Sequence, residues 1–589
     1  MIVPMRKILV VARSQDRARL LDSLCELGVV HVVPVNPERA TVEETIARRI
    51  QATQRALQVL SNVAPGGKVP DMAPVDAALE ILDIQRRAAE GRHRLAGLYH
   101  QLQQIAVWGD MRLEDLDALA EAGVNVHFYS MPSKVVAAAD AQCVSVVADF
   151  PNRQSLVALA GRTDQVKVPP EAKAVPAPSR DAPSIRTEAA EIEASLKRDQ
   201  RRLSELANLA TAMKTELLRL QQEAEYAAAL GGAQSDEHLF AMQGWTTADA
   251  APSIGAQLAA RQIPVALEIL EPASDEQPPT LIRSPAWARP IESLFQMLGT
   301  VPGYREYDVS VPFLIALPLF TAVLISDAGY GGLLLLGLAL GYGPASKAIG
   351  PRFVHLLMLV GAVAMIWGAV TSAYFGFAPY EPLISIDLSE KSRIWMMRLS
   401  FTVGAIHLSL AQAWQAVRLY PDLRFLNKVG WALFVWGMYG VVNMFVLKTP
   451  MHWGTVWPYL LLTGGVLAVV FASPNRNPAK MLGMGLAEFP LSMLSAFSDV
   501  ISYVRLMAVG LASSVLATSF NEMALSAAWP LAVLILVFGH GLNMGLGLIA
   551  MFAHGVRLNM LEFCNNLGMK WTGYPYTPFT RRLTPEHTT

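Results

Sequence analysis

The sequence predicts a mainly α membrane protein. Its N-terminal half reads as cytoplasmic, two small α/β lobes joined by an antiparallel coiled coil. Its C-terminal half reads as about eight transmembrane helices, two of them long and tilted. Three observations predict this. Charge is divided unevenly over the 589 residues: the first 310 hold 32 Lys+Arg and 39 Asp+Glu, whereas 311–589 hold only 16 and 10. Apolar segments recur throughout the second part. In the first part, Ile185, Ala189, Ile192, Leu196, Asp199, Leu203, Leu206 and their successors to Ala227 alternate steps of four and three, with Asp199 the one polar member.

The elements follow in order. Ile8 to Val11 is a first apolar run. Leu20, Leu21, Leu24 and Leu27 take helical spacing, Gly28 stops the helix, and Val29 to Val33 is a second run. The opening run of about five apolar residues is too short for a signal peptide, so this half is expected to stay in the cytoplasm. Leu239 to Pro272 again reads strand, helix, strand, which gives a proximal lobe of 1–40 plus 232–275. Coiled-coil arms are expected at 75–108, with Ile81, Ile84, Leu95, Leu98, Leu102 and Ile105 on its seam, and at 181–230. A distal lobe, 109–178, lies between them, with β-like runs at Val124 to Tyr129 and Cys143 to Val147. The Pro/Ala stretch Val168 to Ser184 reads as a loose joint. Together these make a cytoplasmic arm, 1–310.

Several functions are excluded. Gly66-Gly67-Lys68 is not a phosphate loop: Asn62 stands where the first glycine belongs and Val69 where Ser or Thr should follow the lysine. No nucleotide site is visible, so any energy source lies on another chain and the chain alone is not an enzyme. Cys25, Cys143 and Cys564 are far apart, without metal-ligand spacing. No cofactor or metal is expected, and no basic block suggests nucleic acid.

The membrane half is 311–589. Its apolar runs are 311–325, 330–342, 353–374, 395–417, 429–446, 457–472, 487–520 and 529–563, with Asp327 at a turn or break between the first two. Eight spans with both termini inside put ten Lys/Arg in inner loops, Arg476 and Arg582 among them, and four outside, which obeys the positive-inside rule. The last two runs exceed a bilayer's need and must tilt or protrude.

Each long run carries an arginine, Arg505 and Arg557. Arginine stays charged at every accessible pH. In hydrocarbon it marks an ion route or a counter-ion, or else pairs structurally with a carboxylate or snorkels. Ser502 and Asp499 lie near Arg505, with Glu488 at the cytoplasmic entry. Asp499, six residues away, is on another face, so no pair within that helix is expected and a partner on another chain is favoured. On the second helix His540, Asn543, Gly547, Ala550, His554 and Arg557 share one face. Glu562 is about 140° round an α-helix from Arg557, so no direct pair is expected between them. His540 and His554 are proton carriers or satisfied polar groups.

The chain resembles subunit I of V/A-type ATPases, the counterpart of the vacuolar a subunit. The matching stretches are SDAGYGG (Ser326 to Gly332), FSDVISYVRLMAVGLA (Phe497 to Ala512), HGVRLNMLEF (His554 to Phe563), and the juncture PPTLIRSP…PIESLFQMLGTVPGYREYDVSVPFL (Pro278 to Leu314). It departs from the family at Ala322 to Asp327, where an FG-x-M-x-GD pattern is common, and at long-helix positions where vacuolar relatives carry acids or histidines. The resemblance implies an integral protein of the bacterial inner membrane, a stator forming ion half-channels against a rotating proteolipid ring. Peripheral-stalk subunits and a central-stalk ring adaptor subunit are further implied partners. Arg505 and Arg557 would serve ion translocation, with Glu488, Asp499, Ser502, His540, Asn543, His554, Glu562 and Asp327 as path candidates. The rival reading is a secondary transporter with a regulatory cytoplasmic coiled-coil domain.

Overall fold

A computed structural model describes residues 1–151, 153–162, 168–473 and 478–581. Arg476 and Arg582, counted above among the loop cations, lie outside the described residues, as do parts of 109–178 and 311–589. The chain forms two compact units, Met1–Val33 with Glu237–Phe579, and Pro34–Asp236.

The first unit opens with β1 (Met5–Arg13), α1 (Arg17–Leu27) and β2 (His31–Val33). Gly28 closes α1 in the left-handed region, φ 61°, a conformation that favours glycine.

The second unit begins with α2 (Glu44–Leu60) and α3 (Pro74–Ile105), followed by α4 (Leu113–Glu121), β3 (Asn125–Pro132), β4 (Cys143–Asp149), β5 (Gln154–Gly161) and β6 (Lys173–Val175). It closes with α5 (Ala182–Leu206), α6 (Ala210–Gly232) and the short β7 (Gln234–Ser235). Helices α3 and α5 run antiparallel, tied by Arg202 to Glu80, Arg87 to Asp199 and Arg94 to Glu188. Hydrogen bonds from Arg94 and Arg180 hold the Glu188 carboxyl below its ordinary range. Toward the distal sheet Leu98 meets Ile185 and Ala189. At the other end Leu206 and Met213 pack with Ala56 and Leu60 of α2 and Ile81 and Ile84 of α3.

The long heptad seam therefore differs from its expected form in two ways. A 3-10 turn at Ala207–Leu209 interrupts it, where Asn208 donates to the carbonyl of Gly66 and Gly66 N donates to that of Ser204. Its second half also packs against α2, a helix the heptad reading omitted. The distal sheet has the order β4-β5-β3-β6, all antiparallel. The stretch expected to be a loose joint contributes β6, whose Val175 pairs with Phe128.

The chain returns to the first unit as β8 (Leu239–Thr247), α7 (Ala251–Ala260) and β9 (Val265–Leu270). The two strand–helix–strand segments form one antiparallel sheet, β2-β8-β1-β9, with Ile8 opposite Gly244 and Ile269. Leu20, Leu21 and Leu24 of α1 and Ile254 and Leu258 of α7 are fully buried. The tail also reaches this lobe. Thr280 N donates to Tyr574 O (2.8 Å) and Tyr576 N to Thr280 O (3.0 Å). Phe579 N donates to Val30 O (2.8 Å), and the Tyr576 hydroxyl to Val29 O (2.6 Å).

After α8 (Glu292–Leu298) every expected apolar run is helical: α9 (Ser310–Ile325), α10 (Ala328–Leu340), α11 (Tyr342–Ile349), α12 (Pro351–Val370), α13 (Glu390–Leu419), α14 (Arg424–Leu447), α15 (Trp457–Val470), α16 (Pro478–Ser502), α17 (Val504–Leu525) and α18 (Trp529–Ala550). Among the described residues five helices are long and apolar enough to cross a membrane, or six if α10 and α11, bent by 90°, are one span. Helices α9 and α15, at 16 and 14 residues, are apolar but shorter. Glycines bring α10 and α12 together: a Cβ on Gly368 would lie 1.9 Å from Ala328 N, and one on Gly331 2.5 Å from Met365 N.

Candidate functional site

The first long run is one membrane-length stretch, Ala479–Leu525, with a one-residue break. Tyr503 separates α16 from α17, and Arg505 is the second residue after that break. The second long run starts as α18 and then widens into π-helical turns, Met551–Val556 and Leu558–Phe563, on either side of Arg557. In π-helical turns the backbone hydrogen bonds run i→i+5 and each turn is wider than in an α-helix, so the angles assumed for an α-helix do not hold there.

Arg505 and Glu562 meet beside these two irregularities. Arg505 Nη1 donates to Glu562 Oε1 at 3.2 Å, and Nη2 to Ser502 Oγ at 3.2 Å. The Glu562 side chain is 5% exposed and that of Arg505 22%. The expected counter-ion on another chain thus has a resident rival on the facing helix. A partner search along one helix could not find it, because the pair crosses between helices. Arg557 is exposed, and among the described residues no carboxylate lies within 4.0 Å of it.

Around this pair lies a cluster of amides and acids. Asn566 Nδ2 donates to Asp499 Oδ2 (2.9 Å) and to Glu562 O (2.8 Å), and Asn566 Oδ1 accepts from Gln412 Nε2 of α13 (2.9 Å). Glu562 Oε2, Gln412 Oε1 and Asn559 Oδ1 are buried acceptors with no hydrogen-bond partner among the described residues. Tyr503 is fully buried and its hydroxyl meets His407 Nδ1 at 2.8 Å. Glu488 is exposed on α16, and His554 is half-buried.

A second polar cluster lies farther along α17. Asn521 is sixteen residues past Arg505, about 24 Å at helical rise. Its Oδ1 meets His540 Nε2 at 3.0 Å, and its Nδ2 donates to Phe375 O at 2.7 Å. His540 Nδ1 lies 2.6 Å from the Tyr330 hydroxyl, which accepts from Asn543 Nδ2 at 3.1 Å. Asn543 also donates to Ser513 O (2.8 Å) and accepts from Ser513 Oγ (3.3 Å). With Nε2–H donating to Asn521, Nδ1 accepts from Tyr330 and every link in the chain has one proton. Leu506, Met507, Ala508, Val509 and Gly510 fill the part of α17 between the clusters.

Asp327 has a different task. Its carboxylate accepts from Tyr330 N (3.1 Å), Phe375 N (3.0 Å) and Gly376 N (3.0 Å), so it caps α10 and pins the 371–380 loop. Ser326 before it takes the left-handed conformation that ends α9.

The structure brings Arg505, Ser502, Asp499 and Glu562 together at one place and His540 and Asn543 at another. The sequence reading missed Asn566, Gln412, Tyr330 and Asn521. Polar residues inside long apolar helices were the available signal. Among the described residues no group of three or more His, Cys, Asp or Glu could hold a metal ion.

No family model matches the chain. Among curated proteins it is 27% identical over 624 residues to V-type ATP synthase subunit I of Borreliella burgdorferi, covering 99% of this chain and 100% of that one. It is also 27% identical over 629 residues to V-type ATP synthase subunit I 1 of Treponema pallidum, with 99% and 100% covered. A solved structure, the cytoplasmic N-terminal domain of subunit I, homolog of subunit a, of V-ATPase, matches 45% of this chain and 99% of its own at 17% identity. Its TM-score of 0.19 carries no argument about the fold.

Proposed function

We propose, starting from a resemblance to subunit I of V/A-type ATP synthases that runs the length of the chain, that this protein is the membrane stator subunit of a rotary ATPase. The observation that carries the reading is Arg505, a permanent cation within a helix long enough to cross a membrane, joined to a second such helix through Glu562. In this reading residues 1–310 form a cytoplasmic arm bound to peripheral stalks and 311–589 an ion-translocating domain of eight spans. A ring of proteolipid subunits, each with an ion-carrying carboxylate, turns against α16 to α18.

The chemistry follows from charge. Arg505 has five N–H donors, and two of its nitrogens are engaged by Glu562 and Ser502. Its remaining donors, without a partner among the described residues, would meet an arriving ring carboxylate. A fixed positive charge favours the ionised carboxylate, so the ring site releases its ion beside Arg505. The same charge repels a cation crossing directly from one cluster to the other. The amides and acids around Glu562 would take ions to or from one side, with its buried unpaired acceptors as stations. The Tyr330–His540–Asn543 chain would serve the other side. Arg557, exposed and without a carboxylate, reinforces the field from the second helix.

Purification of the chain from its native membrane tests the reading. A proteolipid ring and a soluble ATPase head should co-purify with it. A chain that purifies alone and, in vesicles, moves a solute down an ion gradient is the secondary transporter instead.

A further inference from the structure

A groove of about 650 Å³ runs between α9 and α13 on the membrane domain. Val311, Ile315 and Leu319 line one wall, and Ile406, Leu410 and Val417 the other. Five of the six are open to the surroundings: Ile315 is 55% exposed, Leu319 51%, Ile406 47%, Leu410 58% and Val417 76%. In water such a strip is an aggregation liability, whereas in a bilayer it faces lipid.

The two ends differ. Toward one of them the lining includes the buried side chains of Phe320, His407 and Phe563. At the other, Trp414 packs edge-on against Tyr307 with ring centroids 5.2 Å apart. The Arg418 guanidinium sits over that Tyr307 ring at 4.5 Å and donates to the carbonyls of Arg305 (2.6 Å) and Glu306 (3.4 Å). Arg418 is exposed, and among the described residues no carboxylate lies within 4.0 Å of it. A Trp–Tyr pair with an unpaired guanidinium is the composition of a membrane–water boundary.

The length fits as well. The groove follows α13 from Val403 to Val417, a rise of about 21 Å, which with tilt spans one leaflet of a hydrocarbon core about 30 Å thick. We propose that this groove is a binding site for one anionic phospholipid, with an acyl chain between α9 and α13 and the phosphate at Arg418. The proposal does not rest on the stator reading. It would brace α9 against α13, whose His407 is hydrogen-bonded to Tyr503 two residues before Arg505.

The test uses the full chain, purified in mild detergent after exchange through vesicles of equal parts phosphatidylglycerol and phosphatidylcholine with matched acyl chains. Native mass spectrometry counts the lipid retained. One phosphatidylglycerol should remain in preference to phosphatidylcholine. Arg418→Gln should lower that preference about tenfold or more, the effect of losing one charge-assisted contact. Arg418→Lys, which keeps the charge, should restore part of it. Leu410→Trp, which fills the groove, should expel both lipids. If Leu410→Trp does not fold, the Arg418 pair alone decides. Equal retention of both headgroups by the unaltered chain overturns the proposal. So does an unchanged preference in Arg418→Gln, or a co-purified protein in place of lipid.

Discussion

Asn566 bridges Asp499 and the backbone of Glu562, so the carboxylate that precedes Arg505 by six residues is held by the helix that supplies its counter-ion. The arginine therefore stands in a shared setting built by both long helices. Perturbing either one should be felt at the other.

Arg505→Ala should abolish coupled ion pumping in reconstituted vesicles while the complex still assembles. Arg505→Lys should rescue little, because a lysine loses the planar fork and can lose its proton on burial. Arg557→Ala should be harmful but less absolute, since among the described residues no carboxylate lies within 4.0 Å of it. A double-mutant cycle with Arg505→Gln and Glu562→Gln, read by thermal unfolding, should give a coupling of roughly 0.5–3 kcal/mol. Wild-type pumping by Arg505→Ala would remove the main support for a stator.

Topology is accessible to labelling. In a Cys143→Ser background, which removes the exposed native thiol, Asp422→Cys and Ser473→Cys should react with a membrane-impermeant reagent from the cytoplasmic side only. Gly454→Cys, on the loop between α14 and α15, should react only from outside. Labelling of the first two from outside would eliminate eight spans with inside termini.

The contact of α10 with α12 predicts two glycine substitutions of opposite effect. Gly368→Ala forces a Cβ to within 1.9 Å of a backbone nitrogen and should destabilise the detergent-solubilised chain by about 1–3 kcal/mol or more. Gly337→Ala meets nothing within 4 Å and should be neutral or stabilising by up to about 1 kcal/mol. Equal melting temperatures for the two variants would refute the close packing.

His31 gives a pH dependence. Burial lowers its pKa, partly opposed by a hydrogen bond to Thr577. Folding thus favours the neutral ring. The contribution is fully present above the unfolded value of about 6.5 and is lost as pH falls from there through the depressed folded value. Limited proteolysis should cut residues 571–581 faster at pH 5.5 than at pH 7.5, and His31→Gln should flatten that difference. A cleavage rate independent of pH in the unaltered chain would argue against it.

The proximal lobe was legible because its cues are local: apolar runs of strand length, helical spacing from Leu20 to Leu27, and Gly28 at the stop. Helix α2 was not, since its buried residues, Ile46, Thr53, Ala56 and Leu60, are few and one is polar. Strand β5 reads as an unbroken small-apolar run, which does not distinguish strand from helix. Arg505 announced itself through its cost in an apolar helix, but its partner could not, because Glu562 lies 57 residues away on the facing helix. Asp327 shows the opposite limit: it was equally visible in sequence, yet backbone amides occupy its carboxylate.

The strap of residues 574–579 has a consequence for the making of the protein. Translation proceeds from the N-terminus, so the carbonyls of Val29 and Val30 leave the ribosome some 540 residues before Tyr576 and Phe579 arrive to bind them. The edge of the first lobe thus stays unsealed until the whole transmembrane region has been synthesised. A chain halted inside that region leaves the segment entering β2 uncovered, a natural handle for a chaperone or protease, until residues 574–579 are made.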